Sequence, residues 1–363
     1  MIMPSMTTAR GTASTGGKIR VLIVDDSVVV RHLLREALQS DPSIEIVGAE
    51  ANGVAALARI PIVKPDLVTL DIEMPQMDGI ETLKHIRKDY PRLRTVMFST
   101  LTTRGAAATL EALSLGADDY VAKAANGCKI DESLASLRSE MLPKIRQFFA
   151  MPRSSPPPQP VSPHLPAARR AMAAKPRVLA VGVSTGGPNA LAELVPMLPR
   201  NFPIPVLIVQ HMPATFTQLL AQRLDANSYL EVKEAADGME VIPGRVILAR
   251  GDHHLQIRSG GGRVTAVLDQ GPHENSCRPA VDVLFRSVAK MYGAGVLSVV
   301  LTGMGSDGRR GTEAVKAARG YSIVQDEATS VVWGMPGAVA TAGLADQILS
   351  LDGIGREILR LAE

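Results

Sequence analysis

From Met151 to about Pro176 the chain runs through Pro-Arg-Ser-Ser-Pro-Pro-Pro-Gln-Pro and then further alanine, arginine and proline. Proline removes backbone donors and favours extended geometry, so this stretch predicts a semi-rigid exposed linker rather than a core element. It divides the 363 residues into two parts of comparable size. Each is long enough to bury a core of its own. The expected division is a disordered lead-in over 1–18, one domain over 19–149, the linker over 150–176 and a second domain over 177–363.

Both halves carry the rhythm of α/β proteins. In the first, short β-branched runs at 20–24, 44–49, 66–70, 94–98 and 119–122 alternate with amphipathic stretches. Ser27 is placed to cap a helix whose Val30, Leu33, Leu34, Ala37 and Leu38 share one face. Five βα units in succession predict a parallel sheet with helices on both faces. In the second half, strands are expected at 177–183, 206–210 and 296–301, with a helix over 280–291. Several short strands over 231–268, with turns at Pro243-Gly244 and Gly260-Gly261-Gly262, predict an irregular β insertion. The halves share no repeated motif.

A net charge of +3 gives no reason to expect a nucleic-acid or membrane surface as the main partner, and the second half has no helix-turn-helix pattern or basic cluster. No run approaches the ~18 apolar residues of a membrane span, and the lead-in lacks an apolar signal region. A cytoplasmic protein is expected, with the distant Cys128 and Cys277 as reduced thiols.

Asp25 and Asp26 end the first strand and Asp71 follows the third. Where strand order reverses beside strand one, these two strands are neighbours, and their carboxyl ends bring the three aspartates to one crevice. Three clustered carboxylates repel one another unless a cation sits among them, and Mg2+ takes oxygen ligands and pairs with phosphate. A carboxylate so placed can attack a phosphoryl group. Lys123 after the fifth strand and Ser99 at the end of the fourth can contact its oxygens. Any one aspartate alone is as readily a helix cap. The five residues together are not.

Residues 20 to about 145 resemble a response-regulator receiver domain, through Val24-Asp25-Asp26-Ser27, Leu70-Asp71-Ile72-Glu73-Met74-Pro75, Met77-Asp78-Gly79, Ser99 and Lys123. The resemblance implies a flavodoxin-like fold and Asp71 as phosphoacceptor, with Asp25, Asp26, Asp71 and the carbonyl of Glu73 serving Mg2+. It makes Ser99 and Tyr120 the hydroxyl and aromatic switch positions. Ala124 departs from the family, which has proline after the lysine.

In the second half, Gly182-Val183-Ser184-Thr185-Gly186 has the G-x-S-x-G spacing of a strand-to-helix turn that exposes a serine nucleophile. The same turn can instead cradle a phosphate or nucleotide, which leaves a receiver coupled to a nucleotide-binding module as the alternative. A base and an orienting acid would decide. His211 follows the next strand and Asp307 lies in a later strand-end loop, but His253, His254 and His273, and Asp282 and Asp326, compete with them. The order Ser, His, Asp also differs from that of the α/β-hydrolases.

Residues 177–363 resemble the chemotaxis response regulator protein-glutamate methylesterases. The motifs are Gly182 to Pro188, Gln210-His211-Met212-Pro213, Arg278 to Phe285, Leu301 to Gly308 and Trp333-Gly334-Met335-Pro336. The resemblance implies a Rossmann-like catalytic domain with Ser184, His211 and Asp307 as nucleophile, base and acid. Backbone donors at Thr185 and Met304 would serve the oxyanion, with no cofactor in this domain. It further implies methyl-accepting chemoreceptors as substrate, methanol as product, glutamine deamidation as a second activity, and a chemotaxis histidine kinase as phosphodonor.

Overall fold

A computed structural model describes residues 17–100, 102–123, 130–149 and 172–363. Nearly all of the lead-in, Ala124, Cys128 and most of the proline-rich stretch lie outside the described residues.

The first unit alternates β1 (Ile19–Val24), α1 (Val28–Gln39), β2 (Ile44–Glu50), α2 (Gly53–Val63), β3 (Leu67–Asp71), α3 (Gly79–Asp89), β4 (Arg94–Ser99), α4 (Thr103–Ser114), β5 (Asp119–Ala122) and α5 (Ile130–Phe148). The expected elements are present with small shifts at their ends. Ser27 accepts from the Val30 amide, as the capping pattern requires. The Thr102 hydroxyl caps α4 by accepting from the Gly105 amide. All five strands are parallel in the order β2-β1-β3-β4-β5. The order reverses between β1 and β3, so Asp25 and Asp71 emerge side by side.

The second unit contains β6 (Val178–Val183), α6 (Gly187–Leu194), β7 (Val206–Gln210), α7 (Ala214–Ala226), β8 (Glu231–Glu234), β9 (Arg245–Leu248), β10 (His254–Gly260), β11 (Arg263–Asp269) and α8 (Val281–Tyr292). It ends with β12 (Val296–Val300), α9 (Arg309–Ala317), β13 (Tyr321–Gln325), α10 (Met335–Thr341), β14 (Gln347–Leu349) and α11 (Leu351–Ala362). Seven parallel strands form one sheet in the order β14-β13-β12-β6-β7-β9-β8. The expected β insertion is therefore smaller than its sequence span. β8 and β9 extend the main sheet, and only the antiparallel β10–β11 hairpin stands apart. The chain leaves β6 toward β7 and returns on the other side at β12, which creates a second switch point between β6 and β12.

The two units pack together. Leu110, Leu113 and Tyr120 of the first share one buried apolar cluster with Leu191, Phe216 and Leu220 of the second. The Tyr120 and Phe216 rings stack with centroids 4.7 Å apart and planes 13° from parallel. Asn189 Nδ2 donates to Leu113 O at 2.6 Å, and Arg223 Nη1 donates to Leu110 O.

Candidate functional site

Ser184 follows β6 at the second switch point. Its exposure on a sharp turn depends on Gly186, whose φ of 77° is open to glycine at little cost. Pro188 then enters α6 in its first turn, where a missing amide costs nothing. The turn is braced from both sides: the Ser184 amide donates to Thr302 O at 3.0 Å, and Gln210 Nε2 donates to Ser184 O at 3.0 Å. Gly303 permits the close approach, since a Cβ there would lie 2.8 Å from that of Ser184.

His211, at the end of β7, points Nε2 at Asp307 Oδ2 across 2.8 Å. Asp307 is buried and its carboxylate is saturated with donors. Oδ2 also accepts from the Val281 amide at 2.7 Å. Oδ1 accepts from the amides of Asp282 and Gly308 and from Asn275 Nδ2, at 3.0, 2.9 and 2.9 Å. Two of these amides open α8, so the helix N-terminus adds its positive end. Burial pushes the Asp307 carboxyl up, but the His211 hydrogen bond and the amides outweigh it and hold it below the ordinary carboxylate range. Burial pulls the His211 imidazole down, yet the bond to Asp307 outweighs this and raises it to about 10.

The structure separates the competing residues. His254 is buried between Pro272 O and the Ala280 amide, and His253 turns back on Gly251 O. His273 borders the cavity. Asp326 caps the local turn at Thr329. Asp282 lies behind Asp307, sharing Asn275 with it, and burial raises its carboxyl. Ser184, His211, Thr185 and Met304 line one cavity of about 960 Å³, and Asp119, Tyr120 and Lys144 of the first unit line it too. Among the described residues the amides of Thr185 and Met304 make no backbone hydrogen bond. Sequence reasoning missed Asn275 and Cys277 as neighbours of Asp307 and His211, since neither carries a local motif that points to the site.

The first unit holds a separate acidic pocket. Ligand oxygens of Asp25, Asp26 and Asp71 lie within 4.8 Å of one another. Lys123 Nζ stands 2.8 Å from Asp71 Oδ1 and 3.0 Å from Asp25 Oδ2. Burial raises the Asp71 carboxyl to about 6 against the pull of Lys123. Asp25 Oδ2 is buried beside the Lys123 ammonium, and the three clustered carboxylates are the oxygen donors that a hard cation takes. Gly79 lets α3 start against Asp71, whose carbonyl a Cβ would strike. Glu73 and Ser99 border the pocket, although Ser99 Oγ donates to Gly105 O at 3.1 Å. Tyr120 faces the second unit rather than this pocket, and burial raises its hydroxyl far above the ordinary value.

The two sites are linked by contact. Thr185 Oγ1 donates to Asp119 Oδ2 at 3.0 Å, and Lys144 Nζ lies 3.2 Å from the same oxygen. A residue next to Ser184 thus holds a carboxylate from β5 of the other unit. Among the described residues no helix is long and apolar enough to cross a membrane.

The profile of the CheB methylesterase family matches residues 179–358, and that of the response regulator receiver domain matches 21–135. A protein-glutamate methylesterase/protein-glutamine glutaminase of Trichodesmium erythraeum is 47% identical over 94% of this chain and 99% of its own length. One of the same name from a Nocardioides species is 49% identical over 94% and 95%. The crystal structure of the Thermotoga maritima CheB methylesterase catalytic domain is 44% identical, covering 52% of this chain and all of its own, with a TM-score of 0.51. With a crevice that gathers serine, histidine and aspartate from three strand ends, and an acidic pocket on the preceding sheet, the chain belongs to the CheB methylesterase family and carries a response regulator receiver domain ahead of the esterase domain.

Proposed function

We propose that this enzyme hydrolyses glutamate methyl esters on chemoreceptors by a Ser184–His211–Asp307 mechanism, under control of phosphorylation at Asp71. The 2.8 Å pairing of His211 Nε2 with Asp307, in the cavity that Ser184 lines, carries the reading. With Nε2 committed to Asp307, Nδ1 is the nitrogen that takes the Ser184 proton as Oγ attacks the ester carbonyl. The tetrahedral intermediate places its negative oxygen toward the free amides of Thr185 and Met304. Its collapse breaks the ester C–O bond, and His211 returns the proton to the departing methanol. Water, deprotonated by His211, then attacks the acyl-serine and releases glutamate. The same steps on glutamine release ammonia.

In the receiver, Asp25, Asp26, Asp71 and the carbonyl of Glu73 would hold Mg2+, which offsets the carboxylate and phosphoryl charge. Asp71 accepts the phosphoryl group from a chemotaxis histidine kinase, and Lys123 and Ser99 contact its oxygens. In this reading the receiver, whose Asp119, Tyr120 and Lys144 line the Ser184 cavity, restricts access to it in the unphosphorylated chain, and phosphorylation shifts the population toward an uncovered one. Tyr120 is the aromatic residue that leaves Phe216 in that shift. The stretch 150–176 serves as the tether, separating a receiver over 19–149 from an esterase over 177–363.

The test is methanol release from methylated receptor, with and without a small phosphodonor and Mg2+. Ser184→Ala should lower the rate by about 10⁴-fold or more. Comparable release by that variant would overturn the nucleophile assignment.

A further inference from the structure

His211 has two ring nitrogens, and only one is accounted for by Asp307. The other, Nδ1, has a single hydrogen-bonding partner among the described residues: Cys277 Sγ at 3.6 Å. Ser184 Oγ makes no hydrogen bond among them. The nitrogen that must serve the nucleophile is therefore occupied by sulfur.

Cys277 reaches this place through a tightly anchored turn. Glu274 and Cys277 exchange backbone hydrogen bonds at 3.1 and 2.9 Å. The two residues between them, Asn275 and Ser276, both sit in the left-handed region, with φ of 52° and 62°. Such a two-residue turn favours Asn-Gly, and a serine at its second position is strained. The Arg286 guanidinium holds the Glu274 carboxylate with two hydrogen bonds, and Asn275 bridges Asp282 and Asp307. Each end of the turn is thus fixed to α8 or to the acid that orients His211.

Four amide donors besides His211 converge on Asp307, so it is a carboxylate and Nε2 must donate to it. We infer that Cys277 is a positioning residue: its sulfur accepts the second ring N–H and holds the resting His211 as a doubly donating imidazolium, which must lose that proton before it can take the one from Ser184. The raised proton affinity of His211, to which both Asp307 and Cys277 contribute against burial, agrees with this.

Other charges facing the cavity are largely engaged elsewhere. From the esterase side, Arg278 pairs with Asp252, and His273 stands at the border. From the receiver side, Lys144 lies between Asp119 and Glu140, Lys123 is held by Asp25 and Asp71, and Glu132 is exposed. Asp282 and Glu274 stand behind Asp307 and within the turn, bound to Gly311 and Arg286.

The inference rests on the reading of His211 as base, and its test separates the two. In the full chain, Cys277→Ala should move the acid limb of the kcat/KM–pH profile to lower pH by about one unit, the size of one net hydrogen bond. Cys277→Ser, which keeps an acceptor, should leave the limb nearer its original position. Independently of catalysis, ring 15N shifts of the unsubstituted chain should show both His211 nitrogens protonated at about pH 8, above the ordinary histidine range. A neutral ring there, or a Cys277→Ala limb that does not move, overturns the inference. Methanol release that survives Ser184→Ala would instead sink the esterase assignment and leave the ring's protonation state as measured.

Discussion

Arg223 offers a clean way to loosen the proposed covered state without touching Ser184 or His211. It lies in the last turn of α7 and donates to Leu110 O near the C-terminal, negative end of α4. A hydrogen bond from a charged group contributes about 1.5–3 kcal/mol when well buried. This one is partly buried, and screening and side-chain ordering bring it nearer to about 1 kcal/mol. That free energy changes the ratio of covered to uncovered chains by about fivefold. Arg223→Ala should therefore raise methanol release by the unphosphorylated full chain by about fivefold. The gain should shrink after phosphodonor treatment, when most chains are already uncovered. The segment 177–363 alone, having no α4 to bind, should show no change from the same substitution. An unchanged basal rate in the full chain, or an equal gain in the isolated segment, would refute occlusion through this contact.

Two other outcomes follow from the receiver. Asp71→Asn should abolish acceleration by a small phosphodonor and Mg2+, read as the ratio of methanol release with and without them. Burial pushes the Asp41 carboxyl up, but its hydrogen bonds to Arg146 and Ser43 outweigh this and lower it from 3.8 to about 2. A depressed folded value gives stability that is present above the unfolded value and lost as pH falls through the folded one. The urea midpoint of Asp41→Asn should thus lie below that of the unsubstituted chain at neutral pH, and the gap should close between about pH 4 and pH 2.

Sequence alone was sufficient wherever the controlling physics is local. Alternation and helical periodicity located the receiver's βα units, because each needs only its own buried stripe. The acidic pocket was legible for a related reason: in a parallel βα sheet, strand ends lie on one edge, so Asp25, Asp26, Asp71, Ser99 and Lys123 are brought together once strand order is known. The serine turn was legible from its glycines. Its chemical meaning was not, since the residues left several histidines and acids open and only family resemblance ranked them.

Tertiary structure decided the rest, because the deciding contacts join residues far apart in the chain. β8 and β9 join the main sheet through pairing with β7, which their short alternating sequences do not encode. Asp307 rather than Asp282 faces His211, set by where the amides at the start of α8 fall. Cys277 reaches His211 by way of a strained turn, with no motif to announce it. The stacking of Tyr120 on Phe216 and the grip of Thr185 on Asp119 exist only once both sheets are folded and packed. The sequence pointed to two candidate chemistries on two sheets, and packing decided that Asp119, Tyr120 and Lys144 of one unit line the cavity beside Ser184 of the other.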